Sequence, residues 1–242
     1  MRPNVLILDN SKYPLLFHED RSWRPFLRDA DVTVVNVPSG KRIPPLEEFT
    51  HVLVSGSDAS ILEPRAWRES EAQAVRDAAA VGIPILGSCF GHQMLVYALS
   101  GSDHLRRSPV PEVGWITLEK LGDDELLRDA PNPWHTFSFH FDEAFDLPEP
   151  WRILARSAAC PTQIIRYGDR PIWGIQGHPE MSPGKARAIL AVYRLFAGRA
   201  RRRLICRGPV PGEEDRVIGR VFARFLDQTP EASRLEAGRS GR

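Results

Sequence analysis

The chain has 242 residues, of which 42% are hydrophobic and 26% charged, and its formal net charge is +1. That composition is ordinary for a soluble globular enzyme, and the near-balanced charge gives no global field to draw nucleic acid or a membrane surface. Its three cysteines, Cys89, Cys160 and Cys206, are too few and oddly spaced for a disulfide framework, and no Cys-x-x-Cys or histidine-rich spacing suggests zinc.

The opening residues Met1-Arg2-Pro3-Asn4 run into an apolar segment that ends at Asp9, too short for a signal peptide or a bilayer span. A cytoplasmic, reducing location is therefore expected, in which a thiol can stay free. Residues 5–8, 32–35, 51–54 and 83–86 are nearly continuous apolar runs and read as buried parallel strands. Between the last two, residues 64–81 place Trp67, Ala74, Val75 and Ala78 at helical spacing, with Pro64 suited to a first turn. Strand, helix, strand in this order implies an α/β fold with a doubly wound, mostly parallel sheet flanked by helices.

The middle of the chain changes character. Residues 114–118, 136–139, 153–155 and 163–167 are short strand candidates, and 172–176 is a further buried strand that ends at Gly177-His178. Phe137, Phe139 and Phe141 alternate as on a half-buried strand. A helix is predicted over 183–198, with Ile189, Leu190, Val192, Leu195 and Phe196 on one face, and another over 213–227, carrying Val217, Val221, Phe222 and Phe225. Gly122-Asp123-Asp124-Glu125 reads as a helix start, and the arginines at 199 and 201–203 as a solvated helix end. One domain over 1–228 is expected, followed by a polar, disordered tail at 229–242.

The chemistry concentrates in two places. Ile85-Leu86-Gly87-Ser88-Cys89-Phe90-Gly91-His92-Gln93 is a strand, then Gly-x-Cys-x-Gly, then a helical run. That is the layout of a nucleophile elbow, a tight strand-to-helix turn that exposes one reactive side chain. Glycines on both sides allow the sharp turn, and the partial positive charge at the helix start favours a thiolate. Gly177-His178-Pro179-Glu180 follows an apolar strand, where open α/β sheets build their sites. In extended backbone, residues two apart share a side, so Glu180 can reach the imidazole of His178. His92 beside the elbow reads as packing, and Cys160 and Cys206, without any such motif, as core or surface thiols.

In these segments the sequence resembles the class I (triad) glutamine amidotransferases, most of all free-standing members related to the amidotransferase domain of GMP synthase. The matching residues are Gly87-Ser88-Cys89-Phe90-Gly91-His92-Gln93 and His178-Pro179-Glu180. Val54-Ser55-Gly56-Ser57, Glu112-Val113-Gly114-Trp115, Asp146-Leu147-Pro148, Gln163 and Trp173-Gly174-Ile175-Gln176 add to the match, which extends to about Met181. The resemblance implies flavodoxin-like layers, with Cys89 as nucleophile, His178 as general base and acid, and Glu180 as its orienting carboxylate. It further implies an oxyanion hole from the backbone amides of Ser57 and Phe90, and substrate contacts from Gly56, Gln93, His140 and Phe141. The chain departs from the family at Ser57-Asp58, at Ser100-Gly101 and at His140-Phe141-Asp142, where Phe141 replaces a glycine and reshapes the pocket.

No cofactor and no metal is expected. The substrate implied is glutamine or a γ-glutamyl compound. Without a phosphate-binding loop in the sequence, any acceptor chemistry is expected on a separate synthase subunit that receives ammonia. Two alternatives share these motifs: a free-standing γ-glutamyl peptidase, and a catalytically silent binding or regulatory relative.

Overall fold

The computed structural model describes residues 2–12, 19–212 and 217–228. The tail expected at 229–242, and residues 213–216 of the last expected helix, lie outside the described residues. In chain order the elements begin with β1 (Asn4–Asp9), α1 (Glu19–Trp23), β2 (Asp31–Asn36), β3 (His51–Val54), α2 (Ala66–Ala80), β4 (Ile85–Ser88) and α3 (Phe90–Ser100). There follow β5 (Leu105–Lys120), β6 (Trp134–Ala144), β7 (Trp151–Arg156), β8 (Ile164–Tyr167) and β9 (Ile172–Ile175). The described chain closes with α4 (Pro183–Phe196), α5 (Arg199–Arg202), β10 (Ile205–Arg207) and α6 (Ile218–Leu226).

The strands join in the order β10-β5-β7-β8-β9-β4-β3-β1-β2, with β6 paired to β5 alone. The run β2-β1-β3-β4-β9 is parallel throughout, and β8, β7, β5 and β6 continue it antiparallel. The parallel strands are covered on both faces, which is why their sequences barely alternate. Leu6, Leu8, Val52, Val54 and Ile85 pack on one side with Ala72 and Val75 of α2 and Met94 and Leu95 of α3. Val5, Ile7, Leu53 and Leu86 pack on the other with Trp23, Phe222 and Phe225. No helix among the described residues is long and apolar enough to cross a membrane.

Several boundaries differ from the sequence expectation. The fourth strand starts at Ile85 and not at 83, because Pro84 has no N–H for the ladder; its carbonyl still accepts from Val52 N–H at 2.9 Å. Helix α2 begins at Ala66, so Pro64 lies before it instead of in its first turn. The strands expected at 114–118 and 136–139 are the cores of a long β5–β6 hairpin, whose register shifts between Arg107 and Glu112, where Pro109 and Pro111 interrupt pairing. On β6 the aromatic residues at 139 and 141 are half-buried, while Ser138, His140 and Asp142 are buried. The polar face of this strand is therefore the more enclosed one. Asp124 caps a single 3₁₀ turn, its carboxylate accepting from Leu126 N–H.

Strand β10 was not expected from its three residues. It lies parallel to β5 at Gly114, whose φ is +126° and whose missing Cβ would collide with the Cys206 carbonyl. The same kind of contact locks the elbow to the sheet. A Cβ on Gly91 would overlap the Val54 carbonyl, and one on Gly87 would stand 2.5 Å from the Gly91 carbonyl oxygen. Both obstacles are backbone and cannot swing aside. Gly91→Ala should therefore destabilise the protein by about 1–3 kcal/mol, the usual cost of overpacking, read by denaturant unfolding. A midpoint unchanged from wild type would mean that the elbow and β3 are not in this contact.

Candidate active site

The site lies where β3, β4 and β9 end. Cys89 joins β4 to α3 with φ +49° and ψ −103°, a left-handed backbone that a side chain rarely adopts. Its N–H donates to the Ile175 carbonyl at 2.8 Å, and its carbonyl accepts from Gln93 N–H at 3.2 Å, so the strained residue is fastened on both sides. The turn places the sulfur at the N-terminal end of α3, where Phe90 N–H precedes any intrahelical acceptor. Sγ lies 3.8 Å from the Phe139 carbonyl and 3.7 Å from Nε2 of Gln176.

His178 arrives from the loop after β9. Its N–H donates to the Phe137 carbonyl at 2.7 Å, which ties that loop across to β6. Its Nδ1 lies 2.8 Å from Oε1 of Glu180, leaving Nε2 for the sulfur. All three side chains are buried. Burial opposes charge on the imidazole, yet the charges of Cys89 and Glu180, with hydrogen bonds to both, outweigh it and hold His178 well above its ordinary pKa. Thiol, imidazole and carboxylate thus form one chain of contacts, able to pass a proton to and from whatever the sulfur attacks.

The remaining expected site residues fall into two groups. Gly56 and Ser57 follow β3 in the loop that α3 packs against through Gly91, which brings Ser57 and Phe90 to the same end of the sheet as Cys89. Gln93 is buried, its amide already donating to the Asp142 carbonyl at 2.8 Å and to Oε1 of Gln176 at 3.1 Å. His140 is held at both ring nitrogens, by Oε2 of Glu112 at 3.1 Å and by the Asp142 carbonyl at 3.0 Å. Glu112 also accepts from Ser157 at 2.7 Å and from Gln163. Phe141 packs edge-on against Phe139 at 5.9 Å, beside Met181 and Tyr193.

Gln176 was missed as a site residue. It stands two residues before His178, and that spacing in an extended run was the available signal. His92 is fully buried against Gly174, and burial lowers its pKa to about 3, so it packs as expected and is no rival base. Cys160 is buried too, its thiol pushed up to about 12, chiefly by desolvation.

A raised histidine pKa makes a stability prediction with a definite sign. The charged His178 contributes in full below the unfolded value of about 6.5, and the contribution is lost as pH rises through the higher folded value. The stability gap between wild type and His178→Gln should therefore narrow from about pH 6 to about pH 10, measured by chemical denaturation. A gap that widened with pH would contradict the charged pair.

The model of the family described as glutamine amidotransferase class-I matches residues 25–192, more than half of the chain. The chain is 29% identical over 178 residues to a glutamine-hydrolyzing GMP synthase subunit from Saccharolobus solfataricus, covering 74% of this chain and 84% of that protein. It is 34% identical over 100 residues to the protein of the same name from Pyrococcus abyssi, a match spanning 41% of this chain and about half, 52%, of that relative. Among solved structures, a glutamine amidotransferase from Thermotoga maritima superposes with a TM-score of 0.74 at 22% identity, covering 93% of this chain and 96% of the other. One from Methylobacillus flagellatus gives 0.73 at 19% identity, with 95% and 96% covered. At such identities the structural likeness speaks for the fold, and the fold is the α/β, mostly parallel, flavodoxin-like one expected. With the family model matched over most of its length, this chain belongs to the class I glutamine amidotransferases.

Proposed function

We propose that the chain hydrolyses the γ-amide of glutamine and passes the ammonia to a separate synthase subunit. The observation that carries this reading is the left-handed Cys89 at the start of α3, in contact with a His178 whose other nitrogen is held by Glu180. In the reaction, Sγ attacks the γ-carbonyl carbon, and His178 holds the thiol's proton. The carbonyl oxygen becomes an oxyanion, taken by the backbone N–H groups of Ser57 and Phe90. The C–N bond then breaks, His178 gives its proton to the leaving nitrogen, and ammonia departs from a γ-glutamyl thioester on Cys89. Water, deprotonated by His178, attacks the thioester, and glutamate leaves as the sulfur recovers its electron pair. Glu180 keeps Nδ1 engaged throughout, so that Nε2 faces the reacting atoms.

The partner follows from the relatives whose names make them the glutamine-hydrolysing subunit of a GMP synthase. The rival reading, a free-standing γ-glutamyl peptidase, uses the same three side chains and rests on Phe141, a bulky ring where the family has glycine. In the subunit reading the ring obstructs; in the peptidase reading it forms a wall for a larger γ-glutamyl substrate. Its edge-on packing against Phe139 fits either.

Cys89→Ala should abolish turnover in a folded protein, and His178→Ala should cost about two to four powers of ten, more than Glu180→Gln. Near-normal hydrolysis in His178→Ala would remove the base assignment. Specificity constants for glutamine and γ-glutamyl peptides on the purified chain separate the two substrate readings. A peptide preference of about tenfold or more without a partner would sink the subunit reading, and Phe141→Gly should raise glutamine turnover if the ring merely obstructs.

A further inference from the structure

A second set of buried polar groups lies behind the loop that carries Ser57, and none of them takes part in the chemistry above. Asn10 follows β1 directly, and Glu71 belongs to α2; neither is exposed to solvent at all. Three hydrogen bonds stitch Asn10 to the loop. Its N–H donates to Ser55 Oγ at 2.8 Å, its Nδ2 to the Ser55 carbonyl at 3.2 Å, and its own carbonyl accepts from Ser57 Oγ at 2.6 Å. The same Nδ2 donates to Oε1 of Glu71 at 2.8 Å, so the amide that grips the loop is itself anchored to the helix. Ser57 Oγ also accepts from Ala59 N–H at 3.0 Å, which closes the turn on its far side.

An acid in such a place is costly, and an apolar side chain there would be cheaper to bury. Glu71 is enclosed by the core, and among the described residues Oε2 has no hydrogen-bond partner. Asp9 is the charged group that faces it, its own oxygens taken by Ser11 and Asn36. Burial first, and then Asp9, push Glu71 up to about 8, so near neutrality it is an uncharged carboxyl group whose Oε1 fixes the orientation of the Asn10 amide. With that acceptor removed, one hydrogen of Nδ2 would be buried unpaired, and the amide would turn away from Ser55 to satisfy it.

We propose that Glu71 is a positioning residue that acts through Asn10 to hold residues 55–57 where the Ser57 N–H meets the oxyanion. The inference rests on the reading of Ser57 as an oxyanion donor. It concerns the transition state more than substrate binding, so kcat should change while KM does not.

The test compares Glu71→Leu, which removes the acceptor, with Glu71→Gln, which keeps a carbonyl oxygen in its place. Glutamine hydrolysis, iodoacetamide alkylation of Cys89 and amide hydrogen exchange over 55–59 are measured on each. Glu71→Leu should lower kcat by about ten- to a hundredfold, at or below the loss of a whole oxyanion donor, with KM within about twofold. It should quicken exchange at 55–57 and leave Cys89 alkylation unchanged, and Glu71→Gln should restore all three readings most of the way. Asn10→Ala cuts the same link and serves if Glu71→Leu does not fold. Unchanged kcat in a folded Glu71→Leu, or alkylation lost together with kcat, would overturn the proposal. If wild type hydrolyses neither glutamine nor γ-glutamyl peptides, the functional reading fails by itself. Exchange still decides the tether: quickening confined to 55–57 in the leucine variant and absent from the glutamine variant supports it, and identical exchange in all three refutes it.

Discussion

The left-handed backbone at Cys89 is the constraint around which the rest of the site is arranged. A non-glycine residue held there stores about 1–3 kcal/mol of strain, and the surroundings have to over-determine it. They do so with two main-chain hydrogen bonds, to Ile175 and from Gln93, and with two glycines packed closer to backbone than any other residue allows. Because Gly91 rests on the Val54 carbonyl, fixing the elbow also fixes the start of the loop that carries Ser57. The sulfur and one candidate amide donor, Phe90 N–H, thus share a single turn, and the other donor is set against it by backbone contact.

The second half of the site reaches the first across the sheet. β9 lies next to β4, parallel and in register from Ile85–Ile172 to Ser88–Ile175, so the residues just past its end emerge beside Cys89. Gln176 meets the sulfur, and two residues on His178 does the same from a loop pinned to β6. Gln93, His140, Glu112 and Gln163 form the layer behind, each buried amide or ring holding the next. Such a layer gives the reacting groups rigid support without itself touching a substrate.

Much of this was legible in the sequence for physical reasons that can be named. The parallel strands declare themselves because burial on both faces removes alternation. The elbow declares itself because only glycine tolerates the approach at 87 and 91. The His178–Glu180 pair follows from residue spacing alone. What the sequence hid depends on contacts between distant segments. The three residues of β10 carry no pattern of their own and are set by the space at Gly114. The length of the β5–β6 hairpin was masked by Pro109 and Pro111, which read as an end where the strand only shifts register. Gln93 and His140 were placed against substrate by the resemblance alone, whereas the polar atoms that the structure pairs are spent on Asp142, Gln176 and Glu112. A polar residue near a nucleophile looks the same in sequence whether it contacts a ligand or supports a neighbour.

The central claim is that Cys89 carries the γ-glutamyl group during turnover, and trapping that intermediate tests it most directly. The enzyme is mixed with glutamine, quenched in acid within the turnover time, digested and read by mass spectrometry. The account predicts one γ-glutamyl adduct, on the peptide that contains Cys89, formed in wild type and absent from Cys89→Ala. An adduct on Cys160 or Cys206, or steady hydrolysis of glutamine by Cys89→Ala, would contradict it.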